Sequence, residues 1–253
     1  MSFQKFIQES VYKSAPLNSN RLVSIADRKD ESAISISAWR ALLTNRDVYT
    51  WKGIPFLKGC TEVALYSMLL YELQPQIIIE LGALSGGSAI WIADQLEQFQ
   101  VKSSIYSIDI DLSLLDEKAK TDSRVHFLEG DCNNISEILP PERLVTFPHP
   151  WLIIEDAHVN TITVIEHFHK NGLMSGDYLI IEDTNRTMWE LDQEELDKND
   201  LNEQALIKAG TQKLVDLRCW LLHHENEYLV DTYYQDMFGY NGSRNWNSIL
   251  KRV

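Results

Sequence analysis

From Phe56 onward, the apolar positions fall into two alternating kinds of run. In "FLKGCTEVALYSMLLYEL" they recur at three- and four-residue intervals, the spacing of a helix packed on a sheet. "QIIIEL" is a continuous apolar run of strand length, and "GSAIWIADQLEQF" returns to helical spacing. The alternation continues with strands at "SIYSIDI", "RVHFLEG", "WLIIEDA" and "DYLIIED". Between them lie short helices at "LSLLDEKAK" and "NISEIL" and a longer one at "TVIEHFHKNGL". Strands apolar on both faces and separated by helices predict a parallel sheet covered on both sides, an α/β fold.

The flanks are less regular. Residues 1–50 read as a partly helical extension, with a helix within "SAISISAWRALLTNRD", and residues 51–253 as the main domain. The stretch 184–200 is polar, acidic and non-periodic, which predicts a loop or flap. A helix at "EQALIKAGTQKLVDL" and closing strands at "YLVDTYYQ" and "NSILKRV" complete the chain.

Composition narrows the function. With 23 Lys and Arg against 37 Asp and Glu, the net charge is 23 − 37 = −14. Such a surface repels phosphate backbones and anionic lipids, which argues against nucleic acid and membrane as partners. The first residues carry charges where a signal peptide has an apolar core, and no apolar stretch reaches bilayer length. Cys60, Cys132 and Cys219 are odd in number and lack metal-type spacing, as expected of reduced thiols in a cytoplasmic protein.

Candidate chemistry begins where "IIIELGALSGG" breaks from strand to glycine turn. Ligands of open α/β sheets sit at the carboxyl ends of the strands. Glu80, Gly82, Ser85, Gly86 and Ser88 occupy such an end in a Glu-x-Gly-x-x-x-Gly pattern. An acidic residue there opposes a pyrophosphate and suits a ligand bearing an amine, such as S-adenosylmethionine (SAM) with its ammonium and sulfonium. The bland reading is a tight turn whose glycines permit close packing. Asp109 ends the next strand, where a carboxylate can take both ribose hydroxyls, or can be a solvated loop residue. Asp131 and Cys132 follow the third strand, at the expected adenine edge.

"WLIIEDAH" and "YLIIED" each end in two adjacent carboxylates. Asp156, Glu182 and Asp183 can converge there, and clustered carboxylates repel unless a cation neutralises them. An all-oxygen set suits Mg²⁺; capping and loop solvation are the alternative. His158, two residues beyond Asp156, is a candidate base, acceptor contact or ligand, or a structural histidine.

Taken together, these stretches resemble the cephalosporin hydroxylase family of class I SAM-dependent methyltransferases. The resemblance runs from Trp51 to the C-terminus on "WKGIPFLKGCTEVALYSMLLYELQP", "IIIELGALSGGSAIW", "SIDIDLS", "EGDC", "IIEDAHVNT" and "GDYLIIEDTN". It implies a Rossmann-like fold with a seven-stranded, mostly parallel sheet whose last strand is antiparallel. It also implies SAM contacts at Glu80–Ser88, Asp109 and Asp131, Mg²⁺ on Asp156, Glu182 and Asp183, and a homo-oligomer. Related catechol-type enzymes place a lysine base three residues after the first metal aspartate, where this chain has Val159. The expected reaction is methyl transfer to a hydroxyl of a small-molecule acceptor, in secondary-metabolite biosynthesis. Rival readings are a nicotinamide-dependent redox enzyme, a non-catalytic cofactor-binding partner, and transfer to nitrogen or carbon. Trp51, Trp189, Tyr233 and Tyr234 are candidates for the acceptor pocket or for the core.

Overall fold

The apolar runs pair into one eight-stranded sheet in a computed structural model that describes residues 2, 4–5, 21–44, 49–195 and 201–253. The strands are β1 (Leu22–Val23), β2 (Thr50–Trp51), β3 (Ile54–Pro55), β4 (Ile77–Leu81) and β5 (Ser104–Asp109). They continue with β6 (Val125–Glu129), β7 (Trp151–Glu155), β8 (Tyr178–Ile181), β9 (Tyr228–Asp231) and β10 (Ile249–Arg252). The main sheet runs β1-β9-β10-β8-β7-β4-β5-β6, and β2 pairs with β3 separately. From β6 to β8 the pairing is parallel; β10 lies antiparallel to both of its neighbours.

This is the expected sheet with one addition. The seven strands β4 to β10 form it, the last antiparallel, and Leu22–Val23 extend the β9 edge. Arg21 ties that edge to Asp231 with Nη2 to Oδ2 at 2.7 Å.

The longer helices are α1 (Ile36–Leu43), α2 (Cys60–Leu73), α3 (Gly87–Phe99), α4 (Thr161–Asn171), α5 (Arg186–Glu195) and α6 (Leu201–His223). Strand alternation divides the core between two faces. Ile78, Leu152, Ile154 and Ile180 pack with α2 and α3, whereas Ile79, Ile153, Leu179 and Ile181 pack with α4 and α6. All eight are at most 1% exposed, so a one-residue slip would exchange two full faces.

The predicted loop at 184–200 is largely α5. Met188, Trp189 and Leu191 are buried, and Gly210 of α6 leaves room for the Trp189 ring. A short apolar stripe on a strongly polar helix was hidden by its acidic neighbours; residues 196–200 lie outside those described. The predicted strand "YLVDTYYQ" stops at Asp231, whose side chain accepts from Tyr233 N and starts a helical turn. The helix within 32–47 spans Ile36–Leu43, N-capped by Ser35; residues 45–48 are not described. No helix among the described residues is long and apolar enough to cross a membrane.

Candidate active site

The carboxyl ends of β4, β5, β6, β7 and β8 enclose a cavity of about 400 Å³. Its floor is backbone. Gly82 has φ +102°, and a Cβ there would stand 2.5 Å from the carbonyl oxygen of Asp156. Gly86, at φ +82°, caps α3 and packs on Ala119. Ser85 and Ser88 line the cavity, and Ser85 Oγ donates to Pro55 O at 2.7 Å.

Asp109 and Asp131 face the same space with Cys132. Asp109 Oδ2 accepts from Leu84 N at 2.7 Å, which braces the glycine turn. Asp131 caps the turn at Cys132–Asn134. Burial, reinforced by nearby carboxylates, pushes the Cys132 thiol up to about 12, so it stays protonated.

Glu80 follows Ile78 onto the α2 face and lies beneath the turn, outside the cavity lining. Its Oε2 accepts from Ser107 Oγ at 2.5 Å, while its buried Oε1 has no hydrogen-bond partner. Burial drives this carboxyl upward.

The two carboxylate doublets divide in the same way. Register pairs Glu155 with Ile181, so the strand tips lie level. Glu155 continues the α6 face, where Lys213 Nζ stands 2.7 Å from its Oε2 without hydrogen-bond alignment. Glu182 continues the α2 face and meets Tyr66 Oη and Lys58 Nζ, each 2.7 Å from Oε1. Asp156, one residue past β7, and Asp183, two residues past β8, turn into the cavity.

There Asp156, Asp183 and His158 offer ligand atoms within 4.8 Å of one another. His158 Nε2 is 3.8 Å from Asp183 Oδ2, and its ring meets Trp189 edge-on. Glu182, expected as the third metal carboxylate, stands behind this triad. Burial would raise Asp156, but the Lys58 ammonium at 2.7 Å holds it below the usual range. Burial and repulsion by Asp156 push Glu182 the other way.

Three non-glycine residues around the cavity adopt positive φ: Leu84 (45°), His158 (50°) and Asp183 (58°). Such backbone costs of order 1–3 kcal/mol per residue and persists only where its surroundings hold it. Arg244 does part of that, donating from Nη2 to Asp183 Oδ1 at 2.7 Å and from Nη1 to Leu57 O at 2.6 Å.

Lys58 and Arg244, which line the cavity, and Lys213, which meets Glu155 behind it, are cations that the sequence did not single out, each far along the chain from its carboxylate. Three of the four aromatic candidates lie elsewhere. Trp51 binds Asp94, Tyr233 flanks Arg21, and Tyr234 is buried against Glu72. Trp189 backs the site by donating to Asp183 O at 2.8 Å.

A glycine turn on the first parallel strand and acidic strand tips thus surround one crevice. The chain belongs to the Rhamnosyl O-methyltransferase/CmcI family, whose model matches residues 45–249. It is similar to Rhamnosyl O-methyltransferase of Mycobacterium tuberculosis, 29% identical over 139 residues, covering 54% of this chain and 57% of that protein. The corresponding Mycobacterium leprae protein is 29% identical over 140 residues, covering 54% and 60%. The chain thus aligns with less than two thirds of these curated relatives.

Among solved structures, a CmcI complex with Mg and SAM shares 25% identity at a TM-score of 0.62, covering 96% of this chain and 95% of that one. A CmcI apo-structure shares 23% identity at 0.62, covering 100% and 96%. A caffeoyl-CoA O-methyltransferase-like structure from Staphylococcus aureus reaches 0.51 at 14% identity, covering 89% and 90%.

Proposed function

We propose that the protein is a SAM-dependent O-methyltransferase that uses a divalent cation, Mg²⁺ first, and acts on a hydroxyl of a small molecule. The observation that carries this is one cavity joining the glycine turn and Asp109 to the Asp156–His158–Asp183 triad. Family membership and relatives named for rhamnosyl O-methylation support it and make a deoxysugar hydroxyl the first acceptor to try.

The residues fit both groups. The backbone floor at Gly82 leaves room for close approach of the cofactor, and Asp109, which lines the same cavity, would take its ribose. Asp156 and Asp183 each place one oxygen on a cation, Lys58 and Arg244, which leaves the second oxygen of each as a candidate donor. A divalent ion held by Asp156 and Asp183 would supply Lewis acidity toward an acceptor hydroxyl. With the ion on the two aspartates, we assign the acceptor's proton to His158. Asp109 braces the turn, and the Lys58–Glu182–Tyr66 cluster braces the tip of β8, which would hold the two halves of the site in fixed relation.

The test is calorimetric titration with SAM and with NAD, then transfer of labelled methyl to a rhamnosyl glycoside with Mg²⁺ or with excess chelator. SAM binding and chelator-sensitive transfer are expected. Binding of NAD in preference to SAM would overturn the reading, and full transfer in chelator would remove the metal from it.

A further inference from the structure

Lys58 leaves the segment between β3 and α2 and is 4% exposed, yet its side chain lines the cavity. Its Nζ is 2.7 Å from Asp156 Oδ2 and 2.7 Å from Glu182 Oε1. The backbone on its N-terminal side is pinned twice, at Pro55 O by Ser85 and at Leu57 O by Arg244. The ammonium is therefore held between the tips of β7 and β8, among carboxylates that would otherwise repel.

We propose that Lys58 is the resident counter-cation of this carboxylate cluster. Its ammonium holds Asp156 and Glu182 together when no metal is bound, and it sets how tightly the site takes a divalent ion. This rests on the metal reading above. An ion at Asp156 and Asp183 must share Asp156 with a fixed positive charge, which weakens its binding. The same charge engages Glu182, which stands behind the two aspartates. Lys58 is thus a positioning residue, acting on the metal through Asp156 and Glu182. It stands at the carboxylate cluster where Val159 leaves no lysine.

The experiment is Mn²⁺ titration of the full chain followed by electron paramagnetic resonance, comparing wild type with Lys58→Met and Lys58→Gln. SAM affinity and thermal melting, with and without Mn²⁺, are measured on the same preparations. Removal of the charge is expected to tighten Mn²⁺ binding at least tenfold, lower the metal-free melting temperature, and let saturating Mn²⁺ restore it. Lys58→Gln keeps a polar group at this position and gives the answer if Lys58→Met fails to fold. Unchanged or weaker Mn²⁺ binding in Lys58→Gln would overturn the proposal, as would the absence of Mn²⁺ binding in wild type and both variants. The SAM titration separates these outcomes from failure of the methyltransferase reading, which would appear as wild type that does not bind SAM.

Discussion

Among the described residues, two clusters bring three ligand atoms of metal-binding type within 4.8 Å: Asp156, His158 and Asp183 at the cavity, and His169, His224 and Glu227. The second is self-satisfied. Arg252 contacts His169 Nδ1 and Glu227 Oε2, each at 2.7 Å, and Glu227 Oε1 lies 2.9 Å from His224 Nδ1. Trp220 stacks on His224 at 4.2 Å and completes a packed surface network. At the cavity, Arg244 and Lys58 each take one oxygen of an aspartate, and His158 stands beyond hydrogen-bond reach of Asp183. Close ligand atoms therefore do not define a site; what counts is whether their lone pairs and charge are already committed.

The largest effect that sharpens this contrast should come from Asp183→Asn. It is expected to cut methyl transfer about a hundredfold or more, the scale of losing one transition-state electrostatic contact. SAM affinity should be nearly unchanged, and His224→Ala should leave both intact; equal losses in the two variants would erase the distinction.

His158→Gln should follow, with a loss of about tenfold or more if the imidazole takes the proton. An unchanged kcat with a raised KM would assign His158 to binding instead.

Gly82→Ala couples the turn to the triad, because its Cβ would press on the Asp156 carbonyl at 2.5 Å. An about tenfold weaker SAM affinity, or about 1.4 kcal/mol, is expected by calorimetry. Unaltered affinity would mean that the turn does not contact the cofactor.

The smallest effect concerns the distant cluster. Burial, with Arg252 and His224 adding to it, lowers the His169 pKa. The folded value lies below the unfolded one, so the contribution to stability is complete above about pH 6.5 and is lost as pH falls toward the folded value. Urea unfolding at stepped pH should show that slope in wild type and not in His169→Gln.

Much of this was legible in the sequence because it follows from period and punctuation. Continuous apolar runs located the parallel strands, and "ELGALSGG" located the crevice. Asp109, Asp131, Asp156 and Asp183 all reach the cavity because each lies at or just past a strand end. The division within each doublet was not legible, since it depends on which helix lies over which face. Glu182 and Glu80 point to the α2 side and Glu155 to the α6 side, and only tertiary packing brings Lys58 and Lys213 to meet them. The α5 helix was missed because Met188, Trp189 and Leu191 gain their weight from burial that their polar neighbours conceal.

The positive φ angles of Leu84, His158 and Asp183 also bear on protein engineering. A stability screen will favour glycine or asparagine at these positions, since either relaxes the left-handed backbone. At His158 and Asp183 the same change deletes the proposed chemistry. Thermostabilised variants selected without an activity readout should therefore lose function at these positions first, and a library meant to preserve turnover should hold them constant.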